Sequence, residues 1–196
     1  GVAGNSYTLR WTINNAPCTA SSSDVNISFL QNPTTANAGL DQLSLCGLTS
    51  TTLTANAANV GTGAWSIVSG TGGSVSSINS PSSTFIGTAG NSYTLRWTIT
   101  NASCTPSTDD VVISFPKNPT VSNAGLSQTL CGATSAVLSG NAPTNGTGAW
   151  SIYSGAGGSF SNAASSTSSF TGTAGNTYVL FWTISNAPCA SSADSL

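Results

Sequence analysis

The phrase AGNSYTLRWTINNAPC at Ala3–Cys18 returns as AGNSYTLRWTITNASC at Ala89–Cys104 and as AGNTYVLFWTISNAPC at Ala174–Cys189. The steps between copies are 86 and 85 residues. GTGAW at Gly61–Trp65 recurs at Gly146–Trp150, and Cys46-Gly47 recurs at Cys131-Gly132, each 85 residues on. Such a period is too long for helical solenoid units and fits a small β-sandwich domain. The register divides the chain into five parts. Residues 1–29 are the C-terminal part of a truncated repeat, 30–36 a linker, 37–115 a complete repeat, 116–122 a second linker, and 123–196 a repeat lacking most of its last strand. The 196 residues thus read as a window on a longer polymer. Both linkers, LQNPTTA and PKNPTVS, carry Asn-Pro. Proline fixes φ, so neighbouring repeats should keep a limited range of angles.

Within each copy the apolar residues alternate. Tyr93, Leu95, Trp97 and Ile99 share one parity, and Thr94, Arg96 and Thr98 share the other. Period-two alternation marks a half-buried strand. The same holds for Tyr7, Leu9, Trp11 and Ile13, and for Tyr178, Leu180, Trp182 and Ile184. In DVVISF and DVNISF, Val111, Ile113 and Phe115 correspond to Val25, Ile27 and Phe29. No segment has helical apolar spacing, and clusters such as SGTGGS at Ser69–Ser74 punctuate the strands as turns. The expected fold is all-β: tandem immunoglobulin-like β-sandwich repeats of about 85 residues. Trp11, Trp65, Trp97, Trp150 and Trp182 are expected in the cores, because aromatic rings bury large apolar areas in small domains. Tyr153 and Phe181 are candidates for carbohydrate stacking on the surface.

Charge is scarce. Three basic residues and five aspartates make only 4% of residues charged, against about a quarter in an ordinary domain. Three cations cannot neutralise a run of phosphates, so nucleic-acid binding is not expected. No apolar run is long enough to span a bilayer. Ser and Thr make up about a third of the chain and would hydrate its surface without charge.

Histidine is absent, which excludes nucleophile–histidine catalysis, and no lysine–serine motif surrounds Lys117. Asp109 and Asp110 are adjacent on a strand and so point to opposite faces, which does not make a facing acid/base pair. Calcium held by Asp41 with Asp109 or Asp110 is a weak candidate, since calcium wants six to eight oxygens and Ser127 replaces Asp41 in the next copy. No enzyme, metal or cofactor is expected. Candidate glycosylation sites are Asn26, Asn101 and Asn145 in N-x-S/T triplets, and Ser195 in DSL.

Cys18, Cys46, Cys104, Cys131 and Cys189 are disulfide candidates, with the partner of Cys18 outside the chain. Every copy has one cysteine near its front and one near its end. Cys46 to Cys104 and Cys131 to Cys189 are both 58 residues apart, which suggests pairs within a repeat. Sandwich topology instead brings Cys46 near Cys189 across a junction, because a strand separates the two ends of one domain by more than a disulfide can reach. Both pairings stay open at this level. Either one points to an oxidising, extracellular setting.

The ordered series NAGLDQLSLCG or NAGLSQTLCG, GTGAWSI, FTGTAGNTY, LRWTI and TDDVVISF resembles the PKD-like or Ig-like repeats of large secreted surface proteins of Bacteroidota. The resemblance implies export to the cell surface, no catalytic residues, and a structural role in a fibre, stalk or filament. An adhesin module binding glycans or cell surfaces through its loops is the alternative. Expected partners are neighbouring copies of the chain in a homopolymeric fibre or longer array, and glycans. The strand with Asp24, Val25, Ile27 and Phe29 is a candidate for donation to another copy.

Overall fold

A computed structural model describes all residues, 1–196, and every regular element in it is a strand. Two compact units divide the chain. The first comprises residues 1–41, 50–87 and 93–113, and the second residues 42–49, 88–92 and 114–196. The division does not follow the sequence register, because the end of the repeat 37–115 clusters with the repeat after it.

The first unit opens with an antiparallel hairpin, β1 (Ser6–Asn15) and β2 (Cys18–Ser28). Two three-stranded sheets follow. One has the order β3 (Ser50–Thr52), β6 (Thr84–Ile86), β5 (Ser74–Val75). The other has β4 (Thr62–Ser69), β7 (Ser92–Thr100), β8 (Ser107–Ser114). The alternation in SYTLRWTIT now has its cause: Tyr93, Leu95, Trp97 and Ile99 are buried while the residues between them are half-buried or exposed. Leu53, Trp65, Phe85, Val111 and Ile113 are buried with them.

The second unit repeats the plan. β11 (Ser159–Phe160), β12 (Ser169–Thr171) and β9 (Ser135–Val137) form one sheet. β10 (Thr147–Ser154), β13 (Val179–Ser185) and β14 (Ser192–Ser195) form the other. Its core is Ala124, Leu138, Trp150, Phe170, Leu180, Trp182 and Ile184. Strand register is reproduced across the period. Trp65 faces Trp97 and Trp150 faces Trp182, with a bulge after Ile67 and after Ile152. The fold is all-β, with tandem Ig-like sandwich repeats.

GTGAW recurs because both of its glycines are required. Gly61 and Gly146 hold φ of +94°, a left-handed backbone that disfavours other residues. Gly63 and Gly148 sit against the indoles of Trp97 and Trp182, where an added Cβ would collide with the ring. The sequence shows the recurrence, and the structure supplies the reason.

Trp11 corrects the expectation of five core tryptophans. It is 72% exposed, and Leu9 and Ile13 are exposed beside it. Its strand alternates as β7 does, but β1 pairs only with β2, and no second sheet covers the apolar face. Parity shows which side of a strand is apolar, while burial needs an opposing layer. The candidate donor strand has the same setting. Asp24, Val25 and Ile27 lie in β2, opposite Arg10, Leu9 and Tyr7, and Phe29 packs edge-on against Tyr7.

The two central tryptophans differ in one atom's environment. Trp182 Nε1 donates to the Asn141 carbonyl at 3.1 Å, whereas Trp97 Nε1 is buried with no partner. A buried donor without a partner costs about 1–3 kcal/mol. Trp97→Phe should therefore destabilise less than Trp182→Phe, by about 1–2 kcal/mol, in urea melts of the two variants.

Candidate functional site

The chemistry-bearing residues gather at the repeat junctions. Each junction begins with a linker threonine fastened to the repeat that follows. Thr34 Oγ1 accepts from the Asn59 and Val60 amides, and its own amide donates to the Val60 carbonyl. Thr120 does the same with Thr144 and Asn145. Next, an asparagine in the tail loop of that repeat reaches back to the linker. Asn101 Nδ2 donates to the Gln31 carbonyl at 2.8 Å, and Asn186 Nδ2 donates to the Lys117 carbonyl at 2.7 Å. These latches were not foreseen, although the recurring Asn-Pro-Thr of the linkers and the Asn three residues before each tail cysteine carried the signal.

The leading segment of each repeat is clipped by an aspartate. Ala38 N donates to Asp109 Oδ2, and Ala124 N to Asp194 Oδ2. Asn37 and Asn123 cap the following turn by accepting from the amides of Gly39 and Gly125. Asp41 Oδ1 accepts from the Val112 amide. These carboxylates satisfy backbone donors, and no three His, Cys, Asp or Glu side chains gather where they could hold a metal ion.

Asp110 has a separate task. It takes a bidentate pair from Arg96 at 2.7 and 2.8 Å, as Asp24 does from Arg10. The hydrogen bond from Arg96 holds the Asp110 carboxyl below the usual carboxylate range. That pair contributes fully above the unfolded Asp pKa of about 4, and the contribution is lost as pH falls through the lowered folded value. Asp110→Asn should cost less than about 1 kcal/mol at pH 7, because the pair is partly exposed, and less at pH 2 than at pH 7. Urea titrations at the two pH values measure the difference. In the last repeat Phe181 replaces Arg96, and Tyr153 packs edge-on against it at 5.0 Å while 71% exposed.

One junction is closed covalently. Cys46 and Cys189 form a disulfide with Cα atoms 5.6 Å apart and a sequence separation of 143. Both lie in the second unit. Adjacent carbonyls bring them together: Pro116 accepts from the Gly47 amide, and Lys117 accepts from Asn186 Nδ2. Of the two pairings left open by the sequence, the junction-spanning one forms: Cys46 is bonded to Cys189 rather than to Cys104, and Cys131 is a free thiol. The physical reason is strand length. The Cys46 loop docks at the end of β8, where Leu45 N donates to the Ser114 carbonyl, while Cys104 precedes the start of β8. Eight strand residues span about 26 Å, well beyond the ~7 Å limit for Cα atoms of a disulfide.

Cys18 and Cys131 are exposed thiols, and the half-buried Cys104 thiol donates to the Gln31 carbonyl at 3.3 Å. Among the glycosylation candidates, exposed Asn26 accepts from Thr8 Oγ1, and Ser195 is exposed on β14. Asn101 commits to the latch the same nitrogen an N-glycan would take. The Asn145 backbone is tied to Thr120.

No protein-family model matches the sequence, and no curated protein matches it. Solved structures do. Extracellular domains 3–5 of Drosophila OTK match with a TM-score of 0.47 at 9% identity, over 99% of this chain and 70% of that one. A protocadherin gammaB7 EC3–6 cis-dimer structure matches with a TM-score of 0.40 at 13% identity, over 98% of this chain and 59% of that one. Mouse cadherin-23 EC22–24 gives a TM-score of 0.36 at 12% identity, over 97% and 72%. The protein has no helix long and apolar enough to cross a membrane.

Two open clefts lie on the second unit. One of about 540 Å³ lies at the end of the last repeat, between Leu130, Ala136, Phe170, Tyr178 and Leu196. The other, of about 460 Å³, lies beside Lys117, Asn145, Asn186 and Pro188 at the stapled junction.

Proposed function

We propose that the chain is a segment of an extracellular structural array, a bacterial fibre, stalk or filament whose work is to hold distance and carry load. The observation that carries this reading is the fastened junction. Linker threonine and tail-loop asparagine fix each linker to the repeat that follows, and the disulfide ties the front loop of one repeat to the tail loop of the next. A persistent disulfide fits an oxidising compartment. The resemblance of the motif series to PKD-like surface repeats supports the same setting. The neutral, hydroxyl-rich surface suits a hydrated fibre, and glycans on Asn26 and Ser195 would thicken that coat. The apolar face of the β1–β2 hairpin suits burial against a neighbouring copy, either as a donated element or as part of one continuous array.

Electron microscopy of the native assembly tests the reading. Filaments or stalks with a regular axial repeat are expected. Dispersed monomers without filaments would overturn it.

A second reading has one observation of its own. Exposed Tyr153 and half-buried Phe181 form an aromatic pair where the preceding repeat has Val68 and an Arg96–Asp110 ion pair. Aromatic faces of this kind stack on sugar rings, which would make the last repeat a glycan-binding adhesin module. Glycan-array binding abolished by Tyr153→Ala would favour it, and an unchanged blank array would dismiss it.

A further inference from the structure

The Cys46–Cys189 bond joins the front loop of one repeat to the tail loop of the next, and half of the same device stands at the preceding junction. There the tail loop is already in place. Asn101 Nδ2 is latched to Gln31 as Asn186 Nδ2 is to Lys117, at 2.8 and 2.7 Å. Cys104 N donates to the Asn101 carbonyl and Cys189 N to the Asn186 carbonyl, both at 3.0 Å. The two loops reach this state by different backbones. Ala102 adopts φ of +48°, whereas a cis peptide joins Ala187 to Pro188. The Cys104 thiol rests on the Gln31 carbonyl. Leu30 and Gln31 are the register equivalents of Pro116 and Lys117, whose carbonyls hold the two loops of the formed staple.

Residues 1–29 include no front-loop cysteine, so Cys104 has no register partner within this chain. Cys131 is the converse. It is a front-loop cysteine in Leu-Cys-Gly, as Cys46 is, and it is an exposed thiol.

We infer that Cys104 is a receptor for the Leu-Cys-Gly front loop of an adjoining repeat of this type, and that Cys131 is the matching donor, so that every junction of an array carries a staple from the front of one repeat to the tail of the next. The inference rests on the array reading and specifies its covalent plan. Each bond forms when two thiols give up two protons and two electrons to a disulfide oxidant such as oxidised glutathione, which is reduced to two thiols. With a sequence separation of 143 between bonded cysteines and a period of 85, successive covalent rings overlap along the segment from Cys131 to Cys189. The partner is therefore a repeat of the same kind, and no small thiol or metal is required.

A lengthened chain tests this. A second copy of residues 37–122 is inserted after Ser122, marked by Thr49→Ser and Thr108→Ser in the inserted copy, and oxidised in a glutathione buffer. Free thiols are alkylated, and peptides are mapped by mass spectrometry without reduction. The original Cys46 should be linked to the inserted Cys104, and the inserted Cys46 to Cys189. Cys18, Cys131 and the original Cys104 should be alkylated. A bond between the inserted Cys46 and the inserted Cys104 would overturn the inference, as would an alkylated inserted Cys104. Cys46→Ser in the lengthened chain is the second arm. It should free the inserted Cys104 and leave the bond to Cys189 intact, and loss of both bonds would equally count against the plan. Neither arm depends on filament formation, so a negative result here leaves the microscopy test of the array standing.

Discussion

Cys46→Ser should destabilise the second unit by about 3–5 kcal/mol, read as a fall in its urea midpoint, and dithiothreitol should do the same to the unaltered chain. The bond closes a loop of 143 residues, and in the chain-entropy description the constraint on the unfolded chain grows with loop length, reaching nearly 5 kcal/mol at about 100 residues. The native side is favourable as well, because the two loops are already held by the Pro116 and Lys117 carbonyls. Cys131→Ser is the control. Its thiol is exposed and unbonded, so its midpoint should move by less than about 0.5 kcal/mol. Equal effects from the two serine variants would refute the assignment of the bond.

The second large effect concerns the indole at the centre of each sandwich. Trp182→Ala should cost about 3–5 kcal/mol, measured by urea unfolding followed by far-UV circular dichroism. Trp182 is fully buried, lies 5.0 Å from Trp150 between ring centroids, and roofs the glycine of GTGAW. Removing it takes away the hydrogen bond to Asn141 and leaves a cavity that the rigid Gly148 backbone cannot close. A repeat of some 75 residues has only about 4–11 kcal/mol of stability in total, so the variant should unfold at far lower denaturant. Trp11→Ala, in the same phrase, should change stability by less than about 0.5 kcal/mol, because no layer covers it. A cost for Trp11 equal to that for Trp182 would show the hairpin buried.

These contrasts show how far residues alone reach. Strand parity was legible in SYTLRWTIT because alternation is written in the order of side chains, and it correctly set Tyr93, Leu95, Trp97 and Ile99 inward. For Trp11 the same letters misled, since burial depends on a second sheet that a strand's own sequence does not record. The cysteine partners were undecidable from spacing, which is 58 within both repeats, and became determinate only once β8 separated the two ends of a domain. Asp109 and Asp110 look alike in sequence, yet one clips the Ala38 backbone and the other holds Arg96. Adjacent strand positions face different neighbours, so their chemistry divides with the faces. The latches of Asn101 and Asn186 were hidden because their partners are backbone carbonyls, which every residue offers alike.

The closed loop also sets how far the chain can be drawn out. A pull applied at Gly1 and Leu196 passes along the backbone to Cys46, crosses the sulfur bridge, and leaves through Cys189. Only residues 1–46 and 189–196 lie in series with the force. Fully extended, they span roughly 190 Å, whereas the whole chain with the bridge reduced would span roughly 690 Å. Most of both sandwiches is then shielded from tension, and the redox state of one bond switches the strand from a short tether to a long one.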